Sequence, residues 1–234
     1  MRLDKFLAET TGLTRSQAAK VLRQSVVTIN GKIEKSGAAK VSPDDEIYYD
    51  GERLTWVENG QYIMLHKPQG YICSHEDGDH PTIYQFFDYP LSTRLHSAGR
   101  LDVDTTGLVL LTDDGQWSHR ITSPKHHYPK TYLVTLADPV EANYAQACAE
   151  GILLRGEKDP TKPAELEILD DYNVNLTISE GRYHQVKRMF AALGNKVVGL
   201  HRWKIGHLTL DDDLGEGEFR HLTEEEIAYF IGEV

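Results

Sequence analysis

Cysteine is scarce in this chain of 234 residues, which holds only Cys73 and Cys148. The two lie far apart and show no metal-ligand spacing, which argues against both a disulfide framework and a cysteine-based zinc site. A chain of this length also buries enough apolar surface to fold without covalent cross-links. We therefore interpret both residues as ordinary thiols.

Long apolar runs are also lacking. No stretch approaches the length of a membrane span, and the N-terminal sequence has no apolar core followed by a small-residue cleavage site. Low-complexity segments are absent as well, while hydrophobic residues make up 40% of the chain. These features predict a globular protein with a sizeable core, no membrane association and a cytoplasmic location.

Positive charge is in deficit overall, because the formal net charge is −11. Its distribution is uneven: residues 1–40 carry eight Lys or Arg against three acids, whereas residues 211–234 carry nine acids and one Arg. Nucleic-acid binding requires a basic face, not a basic total. The first forty residues therefore qualify as an RNA-binding surface, although a solvated helical face explains the charge equally well.

The N-terminal residues form a recognisable pattern of short elements. Leu3, Phe6 and Leu7 have the spacing of one buried helical face, and Thr14 with Gln17 is a capping box that predicts a second helix. Apolar alternation up to Ile29 followed by Asn30-Gly31 predicts a hairpin. Polar, turn-forming residues near 56–60 predict a boundary, and hence domains at 1–58 and 59–234.

The remainder predicts an α+β domain. Short apolar or alternating segments predict four strands, at 62–65, 108–111, 131–136 and 174–178. A helical stripe over 183–193 is followed by the stop Gly194-Asn195, and a capping box at Thr223 predicts a C-terminal helix. We see no internal repeat.

The segment GRLDVDTTGLVLLTDDG, residues 99–115, places Asp102 and Asp104 directly before an apolar strand. Catalytic groups are held best on rigid elements, so this position suits a catalytic carboxylate. Aspartates in turns also commonly accept hydrogen bonds from their own backbone, and spacing alone favours that structural interpretation.

The segment EGRYHQVKRM, residues 180–189, places Arg182, His184, Lys187 and Arg188 near the start of a predicted helix. The helix dipole disfavours cations there, so the pattern indicates an anionic partner, either a carboxylate or a phosphate. A solvated basic face is the alternative.

Together these segments resemble a known family. The central motif of the pseudouridine synthases of the RsuA/RluA family is similar to GRLDVDTTGLVLL. Further motifs of that family resemble HKPQGYICS (66–74), KTYLV (130–134) and EGRYHQVKRM (180–189), and the motifs follow the family's order along the chain. Residues 1 to about 55 resemble an S4 RNA-binding domain. The resemblance covers nearly the whole chain and is nearest to members that act on small-subunit (16S) ribosomal RNA.

The resemblance implies a fold, a reaction and residue roles. It implies an S4-like α/β module followed by a catalytic domain with a largely antiparallel mixed sheet and flanking helices. It also implies that the chain isomerises a uridine of that RNA to pseudouridine on a flipped-out base. Asp102 corresponds to the catalytic nucleophile, Tyr132 to the residue that stacks on the base, and Lys187 to the cation paired with the aspartate.

Other residues follow from the resemblance and from charge. Arg100, Arg182 and His184 are expected to bind the substrate. Phosphate-contacting side chains position RNA without reading its sequence. The residues expected to bind RNA in the N-terminal module are Arg2, Lys5, Arg15, Ser16, Lys20, Arg23 and Asn30.

Two positions depart from the family pattern. Lys187 stands where many relatives carry arginine; lysine keeps the charge but loses the bidentate fork. His66 stands where asparagine is common, in a motif that we interpret as structural.

An isomerisation needs no redox or group-transfer cofactor, and none is expected. Nor do we expect a metal, because no histidine lies in HExxH or a comparable ligand spacing. The histidines considered are His66, His75, His80, His96, His119, His126, His127 and His184. Hydrogen bonding within the fold or to RNA is the favoured interpretation of these side chains.

Two other functions remain open from the sequence. One is a non-catalytic protein that uses the S4-like module to bind ribosomal RNA. The other is a hydrolase, such as a glycosidase, that uses Asp102 and Asp104 as a carboxylate pair, although such pairs need a defined separation across a sugar. The expected partner is small-subunit ribosomal RNA or its ribonucleoprotein precursor, and the expected state is a monomer.

Overall fold

The structure is a computed structural model that describes residues 1–11, 13–56, 60–75, 79–123 and 128–232. Within these ranges, no helix has the length and apolar character needed to cross a membrane. The chain divides into two compact units. Unit 1 comprises residues 1–60 and 87–95, and unit 2 comprises residues 61–86 and 96–234.

Unit 1 contains three helices and a small sheet. The helices are α1 (Leu3–Thr11), α2 (Arg15–Arg23) and the short α3 (Leu91–Arg94). The strands are β1 (Val27–Ile29), β2 (Lys32–Ile33), β3 (Ile47–Tyr49) and β4 (Glu52–Leu54). The strands form an antiparallel sheet in the order β2-β1-β3-β4.

Local sequence explains these elements. Thr14 and Gln17 form the expected capping box, which satisfies two free amide groups at the start of α2. Asn30 and Gly31 both have positive φ, as a type I′ hairpin turn between β1 and β2 requires. The apolar faces of α1, α2 and the sheet enclose one core, made by Leu3, Phe6, Leu7, Ala18, Leu22, Val27, Val41 and Ile47.

Unit 2 is built on one nine-stranded sheet. Its strands are β5 (Tyr62–Lys67), β6 (His96–Ser97), β7 (Thr106–Thr112), β8 (Lys130–Leu136), β9 (Glu165–Ile168), β10 (Asn173–Ile178), β11 (Val197–Ile205), β12 (Leu208–Thr209) and β13 (Phe219–His221). Its helices are α4 (Gly115–Thr122), α5 (Tyr144–Glu150), α6 (Gln185–Ala192), α7 (Glu224–Ile231) and a 3-10 helix, Ile83–Phe86.

The main path of this sheet runs β13-β5-β7-β11-β8-β10-β9. Its pairs are antiparallel except for β7 and β11 at the centre, which are parallel. Strand β7 is almost wholly buried, as its continuous apolar run predicts. The expected fold class, an S4-like module with a mixed, largely antiparallel catalytic sheet and helices, is confirmed.

The helices of unit 2 pack on its sheet and on each other, and they bury apolar side chains. Helices α4 and α7 pack together, with the rings of Trp117 and Phe230 5.4 Å apart in an edge-to-face arrangement. Helix α5 packs on β9 and α6 packs on β11. Helix α7 begins at the expected Thr223 capping box.

Helix α6 begins two residues later than the sequence pattern predicts. His184 adopts a left-handed backbone conformation, with φ of 48°, and this ends any helical continuation before Gln185. The apolar stripe is otherwise as expected, because Val186, Met189 and Phe190 are buried.

The expected domain boundary lies between residues 58 and 59, outside the described residues, and stays a prediction. Several elements of unit 2 were not anticipated from local patterns. Strand β11 is the most important of them, because it lies at the centre of the sheet and completes the cavity described next.

Candidate active site

A cavity of about 440 Å³ opens in unit 2 beside the turn that precedes β7. The turn residues Arg100 and Asp102 line one side of it, and Lys130 and Tyr132 of β8 line another. The segment from Glu180 to Lys187 completes the wall. Its size falls within the range of small-molecule and cofactor sites.

The carboxylate of Asp102 is held by two side chains from the segment EGRYHQVKRM, residues 180–189, which we call the third motif. Lys187 Nζ donates a hydrogen bond to Asp102 Oδ2 at 2.9 Å, and His184 Nε2 lies 3.3 Å from Asp102 Oδ1. Lys187 Nζ also donates to Asp104 Oδ1 at 2.6 Å. Lys187 of the third motif therefore has carboxylate partners, and a carboxylate is one of the two anionic partners that the cations near the start of the helix indicate.

The three charges of this cluster influence each other. Partial burial acts to raise the pKa of Asp104, but the hydrogen bond and charge of Lys187 outweigh it and the pKa lies below its usual value. Partial burial likewise acts to lower the pKa of Lys187, yet Asp104 and Asp102 together raise it. Lys187 is consequently a fixed cation at neutral pH.

Lys67, in the segment HKPQGYICS, stabilises the turn that contains Asp102. Lys67 is fully buried, and its ammonium group donates to the main-chain oxygens of Thr105 at 2.7 Å, Pro68 at 3.0 Å and Val103 at 3.4 Å. Burial lowers the pKa of Lys67. These bonds tie the backbone after Asp102 to the end of β5, which gives the turn the rigidity that a catalytic group needs.

Tyr132 and Arg100 line the same cavity as Asp102. Tyr132 lies in β8 with its side chain largely buried, whereas Arg100 is exposed. The Arg100 guanidinium forms no hydrogen bond or ion pair with a residue in the described ranges, so its donors are available to a ligand.

Arg182 also lines the cavity, but its guanidinium is engaged by the protein. It donates to Glu180 Oε2 at 3.2 Å, to the oxygen of Asp159 at 2.9 Å and to the oxygen of Pro160 at 2.7 Å. These bonds fasten the loop before β9 to the third motif. Its expected contact with substrate stays a prediction.

His184 takes its place beside Asp102 through an unusual backbone. A positive φ is uncommon outside glycine, although histidine adopts it more often than most residues do, and backbones of this kind concentrate at functional sites. The imidazole stacks on the exposed ring of Tyr183, with centroids 3.8 Å apart. The bend therefore turns His184 towards the carboxylate and leaves Tyr183 at the surface.

The residues expected to bind RNA lie in unit 1, and all seven are exposed. Arg2 and Arg15 both donate to the carboxylate of Asp4, and Lys5 lies 3.5 Å from Glu9. Asp4 is buried, but the side chains of Arg2, Arg15 and Lys5 are 54%, 60% and 57% exposed, so these cations can still meet phosphates.

The other four are divided between α2 and the hairpin. Ser16, Lys20 and Arg23 project from α2, and neither Lys20 nor Arg23 pairs with any acid in the described part of the chain. Asn30 donates to Asp45 Oδ1 and accepts a hydrogen bond from the amide of Glu46, so its side chain also holds the hairpin.

Two cavity residues escaped the sequence interpretation. Lys130 precedes Tyr132 by two positions, and side chains at that spacing in a strand share a face, a pattern that could have identified it. Arg202 of β11 donates to the oxygens of Leu108 and Gly99. Because those partners lie about a hundred residues earlier, no local pattern could have identified Arg202.

The described histidines make individual contacts. His66 Nδ1 lies 2.7 Å from the oxygen of Leu214, and His96 Nε2 lies 2.8 Å from Ser118 Oγ. Over the ranges that the structure describes, no group of three or more His, Cys, Asp or Glu is placed to hold a metal ion. His126 and His127 lie outside those ranges.

Comparison with known proteins assigns the family. A family model described as RNA pseudouridylate synthase matches residues 61–192, more than half of the chain, and an S4 domain model matches residues 1–47. The chain belongs to the RNA pseudouridylate synthase family. The matched segments hold the cavity-lining residues of unit 2 other than Leu200 and Arg202, and the helices and first hairpin of unit 1.

Individual relatives of this synthase family are similar over the full length. The chain is 81% identical to "Ribosomal small subunit pseudouridine synthase A" of Pasteurella multocida over 98% of this chain and 99% of the relative. It is 58% identical to the protein of the same name from Escherichia coli, over 99% and 100%. A crystal structure described as a pseudouridylate synthase has 76% identity and a TM-score of 0.72, covering 98% of this chain and 99% of that one.

Proposed function

We propose that this chain isomerises one uridine of small-subunit (16S) ribosomal RNA to pseudouridine, with Asp102 as the catalytic carboxylate. The observation that carries the proposal is the ion pair between Asp102 and Lys187 in a cavity that Tyr132 also lines. The names of the full-length relatives supply the choice of RNA.

The reaction breaks the bond from uracil N1 to ribose C1′ and joins C1′ to C5. The target nucleotide has to leave the base stack to reach the cavity. There the ring of Tyr132 offers a stacking surface worth about 1–3 kcal/mol. Asp102 acts on the ribose as a nucleophile or as a base, and its ion pair with Lys187 orients the carboxylate. Arg100, Arg182 and His184 contact the nucleotide.

Unit 1 binds the RNA. Its S4 match and exposed basic side chains suit phosphate contacts that position the substrate. The partner is small-subunit ribosomal RNA or its ribonucleoprotein precursor, and the enzyme works as a monomer in the cytoplasm, where ribosomes assemble. The chemistry requires no cofactor.

The direct test is to incubate the purified chain with unmodified small-subunit ribosomal RNA, free and in assembly intermediates, and to map pseudouridine. We expect a single modified uridine, formed with no added cofactor. RNA binding without pseudouridine formation in any of these substrates would favour the non-catalytic alternative instead.

The hydrolase alternative fits the geometry poorly. A glycosidase holds a sugar between two carboxylates that are at least about 5 Å apart. Here one ammonium group, that of Lys187, bridges Asp102 and Asp104 with bonds of 2.9 and 2.6 Å. The space between the two carboxylates is thus filled by the protein.

The basic face of α2 provides a separate prediction. Replacing Lys20 and Arg23 together by glutamine removes two phosphate contacts, so the slope of log affinity against log salt is expected to fall by about two. Filter binding over a salt series measures it. The matched control replaces Lys158 and Lys196, two exposed lysines of unit 2, by glutamine. An unchanged slope in the α2 variant would remove this face from the RNA interface.

A further inference from the structure

Lys130 is a cavity cation that pairs with no acid in the described part of the chain, although Asp102 and Glu180 also line the cavity. It lies at the start of β8 and lines the cavity together with Tyr132. Its side chain is half-buried, and its ammonium group makes no hydrogen bond or ion pair with any residue that the structure describes. By contrast, Lys187 of the same cavity has two carboxylate partners.

A second cation, Arg202, lines the same cavity. Arg202 is 2% exposed, and its guanidinium donates to the main-chain oxygens of Leu108 at 2.9 Å and Gly99 at 3.1 Å. No carboxylate from the described ranges forms an ion pair with it. Burial, and then the charge of Arg202, lowers the pKa of Lys130 to about 8.

Two uncompensated cations in a partly buried cavity are unfavourable for the fold alone. Burying charge costs free energy that a partner of opposite sign must offset, and perturbed groups of this kind concentrate at functional sites. The arrangement therefore predicts that a negative charge enters the cavity during function.

The position of Lys130 indicates which part of the substrate carries that charge. Side chains two residues apart on a strand share one face, with Cα atoms separated by about 7 Å. A base stacked on Tyr132 consequently presents its edge to the Lys130 side chain. Arg100 lines the cavity and is exposed, so it suits the phosphates of the substrate.

The reaction creates a negative charge on that base. When the bond from N1 to C1′ breaks, its electron pair stays on uracil, which separates as an anion with charge on N1, O2 and O4. This holds whether Asp102 bonds to C1′ or takes a sugar proton. C5 then bonds to C1′, and Asp102 is released from C1′ or returns its proton to the sugar. C5 loses a proton and N1 gains one, so the nucleotide keeps its atomic composition.

We infer that Lys130 is a further catalytic residue, whose ammonium group stabilises the uracil anion between cleavage of the old bond and formation of the new one. Arg202, which lines the same cavity, adds further positive potential. The inference rests on the proposed function. It assigns Lys130 a role in this reaction that is separate from the roles of Asp102 and Lys187.

The test compares two substrates. Lys130→Met and Lys130→Gln are assayed in single turnover with target RNA that carries either uridine or 5-fluorouridine. Fluorine withdraws electrons and stabilises the departing base, so the enzyme has less charge to stabilise. We expect a loss of at least about 100-fold on uridine and less than about 10-fold in the consumption of 5-fluorouridine, with RNA affinity unchanged.

The matched control is Lys204→Met, the same substitution on the neighbouring strand β11, at a position paired with Thr131 and outside the cavity lining. Equal losses on both substrates in the Lys130 variants would overturn the inference, because a defect in folding or binding affects both alike. Weakened RNA affinity with a reduced salt slope would also overturn it, since that result identifies a phosphate contact.

A pH series supplies an independent measurement. Because the cation is the active form, the wild-type rate should fall above about pH 8, and the Lys130→Met rate should not. The other charged or titratable groups that line the cavity are Arg100, Asp102, Tyr132, Lys162, Glu180, Arg182, His184, Lys187 and Arg202. A fall of the same shape in Lys130→Met would assign the titration to one of them and contradict the inference.

Failure of the inference is distinguishable from failure of the proposed function. If the wild-type chain forms no pseudouridine, the proposed function fails. If the wild type is active and both Lys130 variants match it on uridine, only the role of Lys130 is wrong.

Discussion

Asp102→Asn is expected to lower the single-turnover rate of pseudouridine formation by about 10⁴-fold or more. The amide has nearly the same shape as the carboxylate, but it is neither a nucleophile towards C1′ nor a base for a sugar proton. It also no longer forms an ion pair with Lys187, whose hydrogen bond to Asp102 measures 2.9 Å. Quantification of pseudouridine at the target position measures the effect.

RNA binding should survive this substitution, because the exposed cations of unit 1 supply the phosphate contacts. Affinity within about threefold of wild type is expected. The matched control is Asp104→Asn, which removes the other carboxylate bonded to Lys187. Asp104 is more exposed than Asp102, with side-chain exposures of 55% and 29%, and we expect its loss to cost less than about tenfold in rate.

Two outcomes would contradict the assignment. An Asp102→Asn protein that retained more than a small fraction of activity would show that the carboxylate is not the reacting group. A larger loss for Asp104→Asn than for Asp102→Asn would transfer the role to the neighbouring carboxylate.

Gly107→Ala is expected to destabilise unit 2 by at least about 3 kcal/mol. Gly107 has φ of +108°, and a Cβ added there would lie 2.2 Å from the main-chain oxygen of Arg202. That oxygen belongs to β11, the parallel partner of β7 at the centre of the sheet. Neither strand has room to move, because β7 is buried throughout this region.

Thermal unfolding measures the change. For a chain of this size, 1 kcal/mol corresponds to about 2–4 °C in Tm, so a fall of about 10 °C is expected. Gly156→Ala is the matched control, since Gly156 also has positive φ but a Cβ there would meet nothing within 4 Å. It should cost only the backbone strain, about 1 kcal/mol. Equal losses of stability in the two variants would mean that backbone strain at positive φ, and not the close approach of β11, causes the destabilisation.

The local elements of this chain were well predicted because their causes are local. The capping boxes at Thr14 and Thr223 each involve residues three apart, and the Asn30-Gly31 turn depends on two backbone conformations. The buried strand β7 follows from a continuous apolar run. The late start of α6 was missed, because nothing local indicates that His184 adopts the left-handed region.

The resemblance predicted the residues of the candidate site and the pairing of Lys187 with Asp102, but local sequence patterns predicted none of its contacts. The motifs placed Asp102, Tyr132 and Lys187 together by resemblance, and in the structure they line one cavity. Spacing alone favoured turn capping for Asp102, and only the fold brings Lys187 to it across 85 positions of sequence. The bracing of the turn by Lys67 likewise depends on the pairing of β5 with β7.

By itself, the sequence determined the helices, turns and strands whose stabilising contacts lie within a few residues, and it identified the family through ordered motifs. The tertiary structure alone decided the parallel pairing of β7 with β11, which brings Arg202 into the cavity lining, where Lys130 has no ion-pair partner among the described residues. The physical reason is that sheet order and charge compensation depend on groups distant in sequence, and no local preference specifies which of them meet.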